Sequence, residues 1–442
     1  MDKKKKRKHI EYGRYGYFFI APFFIAYCLF QLWPLFNTFY YSTLSYYKRN
    51  GREFIEFCGL DNFKNILGLA AGEKGYALIY LKNTLAMWVC NFIPQILVSL
   101  LLAVWLTDNI VKLKAQGAYK IIIYLPSIIT AASVSVLFNA MFSQYGPITQ
   151  TLRDMGIISQ KFNFMTSVGG TRGLVSFILF CLLSLLPFLL MVMNATRTSG
   201  DIQAGVSLIP SSHLMENWNM LLQKQNGMRL TLGRAMINSL CITVPGTFLA
   251  VYCSCMTAYG IHVYNFKAKK FAWAFIMAIM MVPNQITIIG FYRFMLKLNL
   301  VDTYIPLIIP CIAAPAVVFF MKQYMESTLS IEMIEAARID GAREFRIFNT
   351  IIMPIMKPAV ATQAIFQFIA QWNNLFTPTI MLTTDEKKTL PLFVQMLTSD
   401  QFRVDYGVVY VGLTVTVLPL IIAYLILSKY IVAGVALGGV KG

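Results

Sequence analysis

Gln363, Gln367 and Gln371 recur every four residues inside an otherwise apolar run, with Asn373 and Asn374 at its end and Phe366 and Trp372 nearby. At helical spacing the three amides line one face. Amides carry both donors and acceptors, which match hydroxyl groups, and aromatic rings cover the apolar faces of a sugar. The chemistry on offer is recognition of a carbohydrate along a polar path, with no bond made or broken. A second reading has the same glutamines tie helices together by hydrogen bonds. Asn284-Gln285, beside Pro283, is a weaker pair of the same kind, again with helix packing as the alternative. Catalytic equipment is not expected. The eight cysteines (Cys28, Cys58, Cys90, Cys181, Cys241, Cys253, Cys255, Cys311) lie mostly in apolar runs without a C-x-x-C pair, and the whole chain has three histidines. They read as small buried hydrophobes, with no metal site, disulfide framework or cofactor.

Such residues need an apolar shell to hold them. Of the 442 residues 57% are hydrophobic and 13% charged, and the mean hydropathy is +0.60, outside the balance of soluble chains. The composition predicts an all-α, polytopic membrane protein. A net charge of +18 would suggest nucleic acid in a soluble chain, but here the basic residues flank apolar runs, where they meet lipid headgroups and set orientation; no nucleic-acid partner is expected. Each expected span is close to the ~20 residues that a bilayer core requires. They fall at 17–41, 83–106, 119–142, 173–194, 235–259, 271–296, 304–321, 350–371 and 408–432, about nine in all. The basic run MDKKKKRK before the first, with no small-residue cleavage site behind it, predicts a retained span whose basic end stays in the cytoplasm.

An internal repeat runs through the chain. Asn62-Phe63 is echoed by Asn217-Trp218, and Asn83-Thr84-Leu85 by Asn238-Ser239-Leu240, at one and the same spacing; Pro126 with Ile129-Thr130 is answered by Pro283 with Ile286-Thr287 at nearly that spacing. This predicts duplicated units: a truncated first unit over 1–172 with about three spans, and a complete one over 173–442. The apolar run 173–194 must then serve both.

Between the spans near 304–321 and 350–371 lies a charged, helix-prone island, residues 330–354, SIEMIEAARIDGAREFRIFNTIIMP. Ser330 stands where a cap is wanted, with Glu332 in the first turn; Ile331, Ile334 and Ala337 recur at helical spacing until Asp340-Gly341 breaks the run. A second short helix is predicted from Ala342 to about Phe348. Two amphipathic helices joined at a glycine would lie across a membrane surface and present a knob to a partner.

Glu335-Ala336-Ala337, Gly341, Ile351 and Pro354 resemble the signature of the integral-membrane subunits of bacterial ABC importers, with Met353 where that family usually has Leu. The resemblance extends through Gly170-Thr171-Arg172-Gly173, Ser207-Leu208-Ile209-Pro210, Trp372-Asn373-Asn374 and Thr389-Leu390-Pro391-Leu392, and is similar in kind to the carbohydrate permeases of the maltose type. It implies the importer permease fold in the last six spans and a cytoplasmic coupling loop over 323–349 that seats in a separate ATPase. The tail ending Gly438-Gly439-Val440-Lys441-Gly442 resembles a terminus that reaches the ATPase, implicating Lys441 and Gly442. The partners so implied are a cytoplasmic ABC ATPase dimer, a second permease subunit, an extracytoplasmic solute-binding protein and membrane lipid, in the bacterial inner membrane. No G-x-x-x-x-G-K-[ST] run occurs, so ATP hydrolysis is expected of partner subunits and this chain is not expected to be an enzyme.

Nine alternating spans starting inside would leave the 330–354 island outside the cell. Lys267, Lys269, Lys270, Arg338, Arg343, Arg346 and Lys429 argue for the opposite orientation, so the expectation keeps the second unit's orientation and requires that one of the earlier runs not cross, or that the chain be a fusion. An ion-coupled secondary transporter is the rival class, and would need membrane-embedded charges that the spans almost lack. A non-transporting remnant that only docks the ATPase is the other.

Overall fold

The computed structural model describes residues 12–49, 52–69, 75–107, 147–159, 185–398 and 404–438. The expected run at 119–142, the first part of that at 173–194, the boundary at 172/173 and the terminal Lys441 and Gly442 lie outside the described residues. In chain order the principal elements are α1 (Gly13–Ser42), a hairpin of β1 (Leu44–Arg49) and β2 (Arg52–Phe57), α2 (Tyr76–Thr107), α3 (Leu185–Ala195), α4 (Leu214–Asn226) and α5 (Leu232–Val263). They continue with α6 (Lys269–Ile279), α7 (Ile288–Lys297), α8 (Pro315–Thr328), α9 (Ile331–Ile339), α10 (Glu344–Ile347), α11 (Lys357–Trp372) and α12 (Tyr406–Gly438). Among the described residues the fold is all-α but for that hairpin. Among the described residues five helices are long and apolar enough to cross a membrane, or seven if two bent pairs each count as one span.

Both bends have a proline at the break. The expected span at 271–296 turns by 90° between α6 and the helix after it, where Pro283 is extended at φ −65°, ψ 126° and biases the residue before it away from the helical region. The expected span at 350–371 turns by 81° at Met356, just before Pro358, whose ring removes a donor and clashes with the preceding turn.

Contacts divide the chain into two compact units, Met1–Thr38 with Met236–Lys387 and Ile421–Gly442 in the first, and Phe39–Ala235 with Lys388–Leu420 in the second. In the first, the core is aromatic. Phe19 of α1 is fully buried, its ring 5.0 Å from that of Tyr259, 5.6 Å from Tyr264 and 5.6 Å from Phe348. The helices run antiparallel here: the start of α1 lies by the end of α5, with Tyr15 and Tyr264 rings 6.3 Å apart. Further along α1 the chain approaches α7 so closely that a Cβ on Gly290 would stand 2.0 Å from the carbonyl oxygen of Pro34. Only glycine admits that approach, and the Gly290 amide donates to Thr38 Oγ1 at 3.0 Å.

In the second unit the sequence repeat has a geometric counterpart. Asn62 Nδ2 donates to the carbonyls of Ser42 and Leu44, both at 2.9 Å, and Asn217 Nδ2 donates to those of Ala195 and Arg197, both at 2.9 Å. Each asparagine satisfies carbonyls left open where a helix ends.

Candidate coupling elbow and polar cavity

The island at 330–354 folds as two short helices across a glycine. Ser330 occupies the cap position of α9, extended at φ −90°, ψ 141°, but its hydroxyl makes no capping bond; the first turn is helped by Glu332 alone. At the other end the chain turns through Gly341, at φ +79°. Ala342 N–H donates to Ala337 O at 3.0 Å and Gly341 N–H to Arg338 O at 3.1 Å, the paired bonds of a Schellman cap. The second helix is shorter than expected, spanning Glu344–Ile347, and passes into a π-helical turn over Phe348–Ile352.

One face of the elbow is anchored and the other is bare. Ile334, Ala337, Ile347 and Phe348 join the aromatic core. Glu335, Ala336, Gly341 and Pro354 are exposed and Ile351 is half-buried; Ile339 is 86% and Phe345 50% exposed. Two apolar side chains thus flank the glycine on an otherwise charged surface, the form of a knob.

A buried clamp holds the angle. Arg338 Nε and Nη2 donate to the Glu344 carboxylate at 2.7 and 3.1 Å, and Tyr264 O–H donates to Glu344 Oε2 at 2.5 Å. The guanidinium lies 4.1 Å over the ring of Tyr12 and 5.6 Å over that of Tyr264. Burial works against the Arg338 charge, but the Glu344 carboxylate outweighs it and holds the guanidinium above its ordinary value. Burial, then Tyr259 and the hydrogen bond to Glu344, pushes the Tyr264 phenol far above its ordinary range, so it stays a donor. From the sequence Arg338 is expected only to set orientation, and no role is expected of Glu344, Tyr264 or Tyr12. Glu344 carried a usable signal, an acid six residues from an arginine across a helix break; the two tyrosines meet it only through the tertiary fold.

The glutamine stripe divides. A cavity of about 330 Å³ is lined by Gln367, Gln371, Asn374 and Asn284, with Gln31 of α1 facing them. Gln371 Nε2 donates to Cys311 Sγ at 3.1 Å, and Gln31 Nε2 to Ala313 O at 3.5 Å. Gln363 is buried outside this lining and Gln285 is exposed outside it. Steps of four drift by roughly 40° each, so Gln363 has turned about 80° from Gln371, and Gln285, in a 3₁₀ turn over Asn284–Thr287, points about 120° away from Asn284. The expected aromatic neighbours are elsewhere too: Trp372 is buried, stacked 5.7 Å from Phe368, and Phe366 lies outside the lining. Phe30 and Phe291 supply the rings instead. Gln31 is legible as one of two amides, with Asn37, in the apolar run 17–41, yet nothing local says which helices it meets.

This geometry has relatives. The arabinooligosaccharides transport system permease protein AraQ of Halalkalibacterium halodurans is 32% identical over 271 residues, covering 61% of this chain and 95% of that protein. The profile of the binding-protein-dependent transport system inner membrane component matches residues 246–437. The chain belongs to that family of ABC importer permeases. It is similar as well to the lactose transport system permease protein LacG of Rhizobium radiobacter, 28% identical over 259 residues, with 59% of this chain and 92% of that one covered. Among solved structures, a bacterial ABC transporter involved in the import of the acidic polysaccharide alginate aligns at a TM-score of 0.50 and 21% identity, over 63% of this chain and 97% of that one, which establishes the fold. The permease is accordingly a multi-pass protein of the inner membrane, and its relatives are transport subunits.

Proposed function

We propose that this permease translocates a sugar or oligosaccharide, with the elbow as the surface through which separate ATPase subunits drive it. The observation that carries the reading is the elbow's division into an anchored and a bare face. Its inner side is pinned by Ile334, Ala337 and the Arg338–Glu344 clamp, so a push on the bare side, at Glu335, Ala336, Gly341, Ile339 and Phe345, reaches the aromatic core as a rigid displacement rather than being lost in a loop. Ile351 and Pro354 belong to the helical path that carries it onward. Lys441 and Gly442 remain candidates for a further ATPase contact. The cavity lined by Gln367, Gln371 and Asn284 is the proposed substrate path, with Gln363 and Gln285 outside its lining, and the relatives named for arabinooligosaccharides and lactose support a carbohydrate. The partners that follow are a cytoplasmic ATPase dimer, a second permease subunit, because two motors need two coupling surfaces, and an extracytoplasmic solute-binding protein. The 1–172 stretch is read as a truncated first unit and 173–442 as the complete one.

The test is uptake of a labelled oligosaccharide by vesicles holding the permease with its ATPase, with Gly341→Asp beside wild type. Uncoupling predicts a variant that inserts normally but loses uptake and ATPase stimulation together. Undiminished uptake by the variant would refute the coupling role.

A further inference from the structure

A cavity of about 1440 Å³ in the first unit lies beside the elbow and is lined by six cationic side chains, Arg14, Lys267, Lys269, Lys270, Lys322 and Arg338. They converge from the start of α1, the turn into α6, α8 and α9, and no carboxylate is among the lining residues. Two of the six are matched: Arg338 by Glu344, and Lys322 by Glu326 four residues on. Lys269 donates to the carbonyl of His262 at 3.3 Å, which leaves its charge uncompensated. Among the described residues no carboxylate lies within ion-pair distance of Arg14, Lys267, Lys269 or Lys270. Four like charges held around one concavity repel one another, and a fixed anion between them converts that repulsion into attraction.

The walls say what kind of anion. Lys322 sits 4.3 Å over the ring of Trp273, the rings of Tyr17 and Phe266 lie 4.8 Å apart, Tyr17 is 46% exposed, and Phe271, which follows the lining Lys270 in the chain, is 69% exposed. Charge within and exposed aromatic rings at the lip, at the ends of membrane-crossing helices, is the arrangement of a lipid site: cations for the phosphate, rings at the interface for the glycerol and acyl region. We propose that this cavity binds the phosphate-bearing headgroup of an anionic phospholipid. A free phosphate ester shares the chemistry but would have no use for the aromatic lip. Because Arg338 both lines the cavity and clamps Glu344, a lipid bound there touches the residue that fixes the elbow.

The test uses the full chain in detergent, titrated with short-chain phosphatidylglycerol, short-chain phosphatidylcholine, glycerol phosphate and inorganic phosphate, with bound molecules counted by native mass spectrometry. Phosphatidylglycerol should bind at least tenfold more tightly than the other three. The double variant Lys267→Ala, Lys270→Ala should lose about tenfold or more of that affinity, while Lys267→Arg, Lys270→Arg keeps it; the basic run at residues 3–8 is present in all three proteins, so its general attraction for anionic lipid cancels. Equal binding of phosphatidylcholine overturns the site. Equal binding of glycerol phosphate or inorganic phosphate overturns its assignment to lipid. Undiminished preference in the alanine variant, or loss in the arginine variant, overturns the role of these charges.

Discussion

Arg338 and Glu344 meet through two hydrogen bonds, at 2.7 and 3.1 Å, with their side chains only 14% and 4% exposed. The pair spans the glycine of the elbow, so it fixes the angle between two helices that are too short to hold one by themselves. Removing one partner leaves the other buried and unpaired, at a cost of about 3 kcal/mol. Glu344→Ala is therefore expected to lower the thermal midpoint in detergent and to open the elbow to proteolysis at Arg343. Tyr264→Phe, which takes away one neutral donor, should cost about 1 kcal/mol. Equal midpoints for wild type and Glu344→Ala would show that the clamp bears nothing.

Gly341 has a left-handed backbone and open space where a Cβ would be, with no atom within 4 Å. A substitution there acts through the backbone alone. Gly341→Ala should cost about 1 kcal/mol, and Gly341→Asn less, because asparagine tolerates that region. Uptake and ATPase stimulation should fall in the order glycine, asparagine, alanine. A loss that tracks side-chain size instead would mean that the partner, rather than the turn, reads this position.

The first helix is part of the same core as the elbow. Phe19→Ala should destabilise that core by about 3–5 kcal/mol. Gly290→Val, aimed at the carbonyl of Pro34, should force α1 and α7 apart and abolish the cavity that Gln31 shares with Gln371. Both effects are read from the melting curve and from protease access to α1; a wild-type curve for either variant would contradict the packing.

Asp302 accepts from the Lys387 ammonium at 2.7 Å, from the Thr384 hydroxyl at 2.6 Å, and from the amides of Thr383 and Thr384 at 3.0 and 2.9 Å. Burial alone would raise its pKa, but Lys387 and Thr384 outweigh it and hold the carboxyl well below the ordinary carboxylate range. Its folded value is depressed, so its contribution is complete above about pH 4 and fades as pH falls toward the folded value. Asp302→Asn, which suits the positive φ of 64° at this position, should lower the midpoint at pH 7 and narrow its difference from wild type at pH 3. A constant difference between the two pH values would contradict the charge account.

Asn284, Gln367 and Gln371 each supply at most one or two neutral hydrogen bonds to a ligand. Alanine at any of them should weaken uptake by about three- to tenfold, with membrane insertion unchanged, and Gln285→Ala should be silent. Loss at Gln285 equal to that at Gln367 would displace the path from the cavity.

What the sequence disclosed follows from the range of each interaction. The break at Asp340-Gly341 was legible because the rule is local: a helix that must reverse needs a residue at ease with positive φ. The echo of Asn62 by Asn217 was legible as text and reappears as two identical pairs of hydrogen bonds. The bends at Pro283 and Met356 are not legible in hydropathy, which averages over about twenty residues and cannot feel one missing amide. Of the glutamine stripe only Gln367 and Gln371 line the cavity, because a period of four drifts off a helix face that turns every 3.6 residues. Tyr12, Tyr264 and Gln31 reach their sites from distant parts of the chain, and no pattern along the sequence could have joined them.

The side of the membrane on which the elbow stands tests the account most directly. Ile339, 86% exposed, is replaced by cysteine in a chain whose native cysteines have been changed to serine or alanine, and labelled with a membrane-impermeant maleimide in vesicles of either orientation. Reaction is expected in inside-out vesicles and not in right-side-out ones, with protection when the ATPase is added. Labelling from the outer face of intact cells would contradict the coupling role.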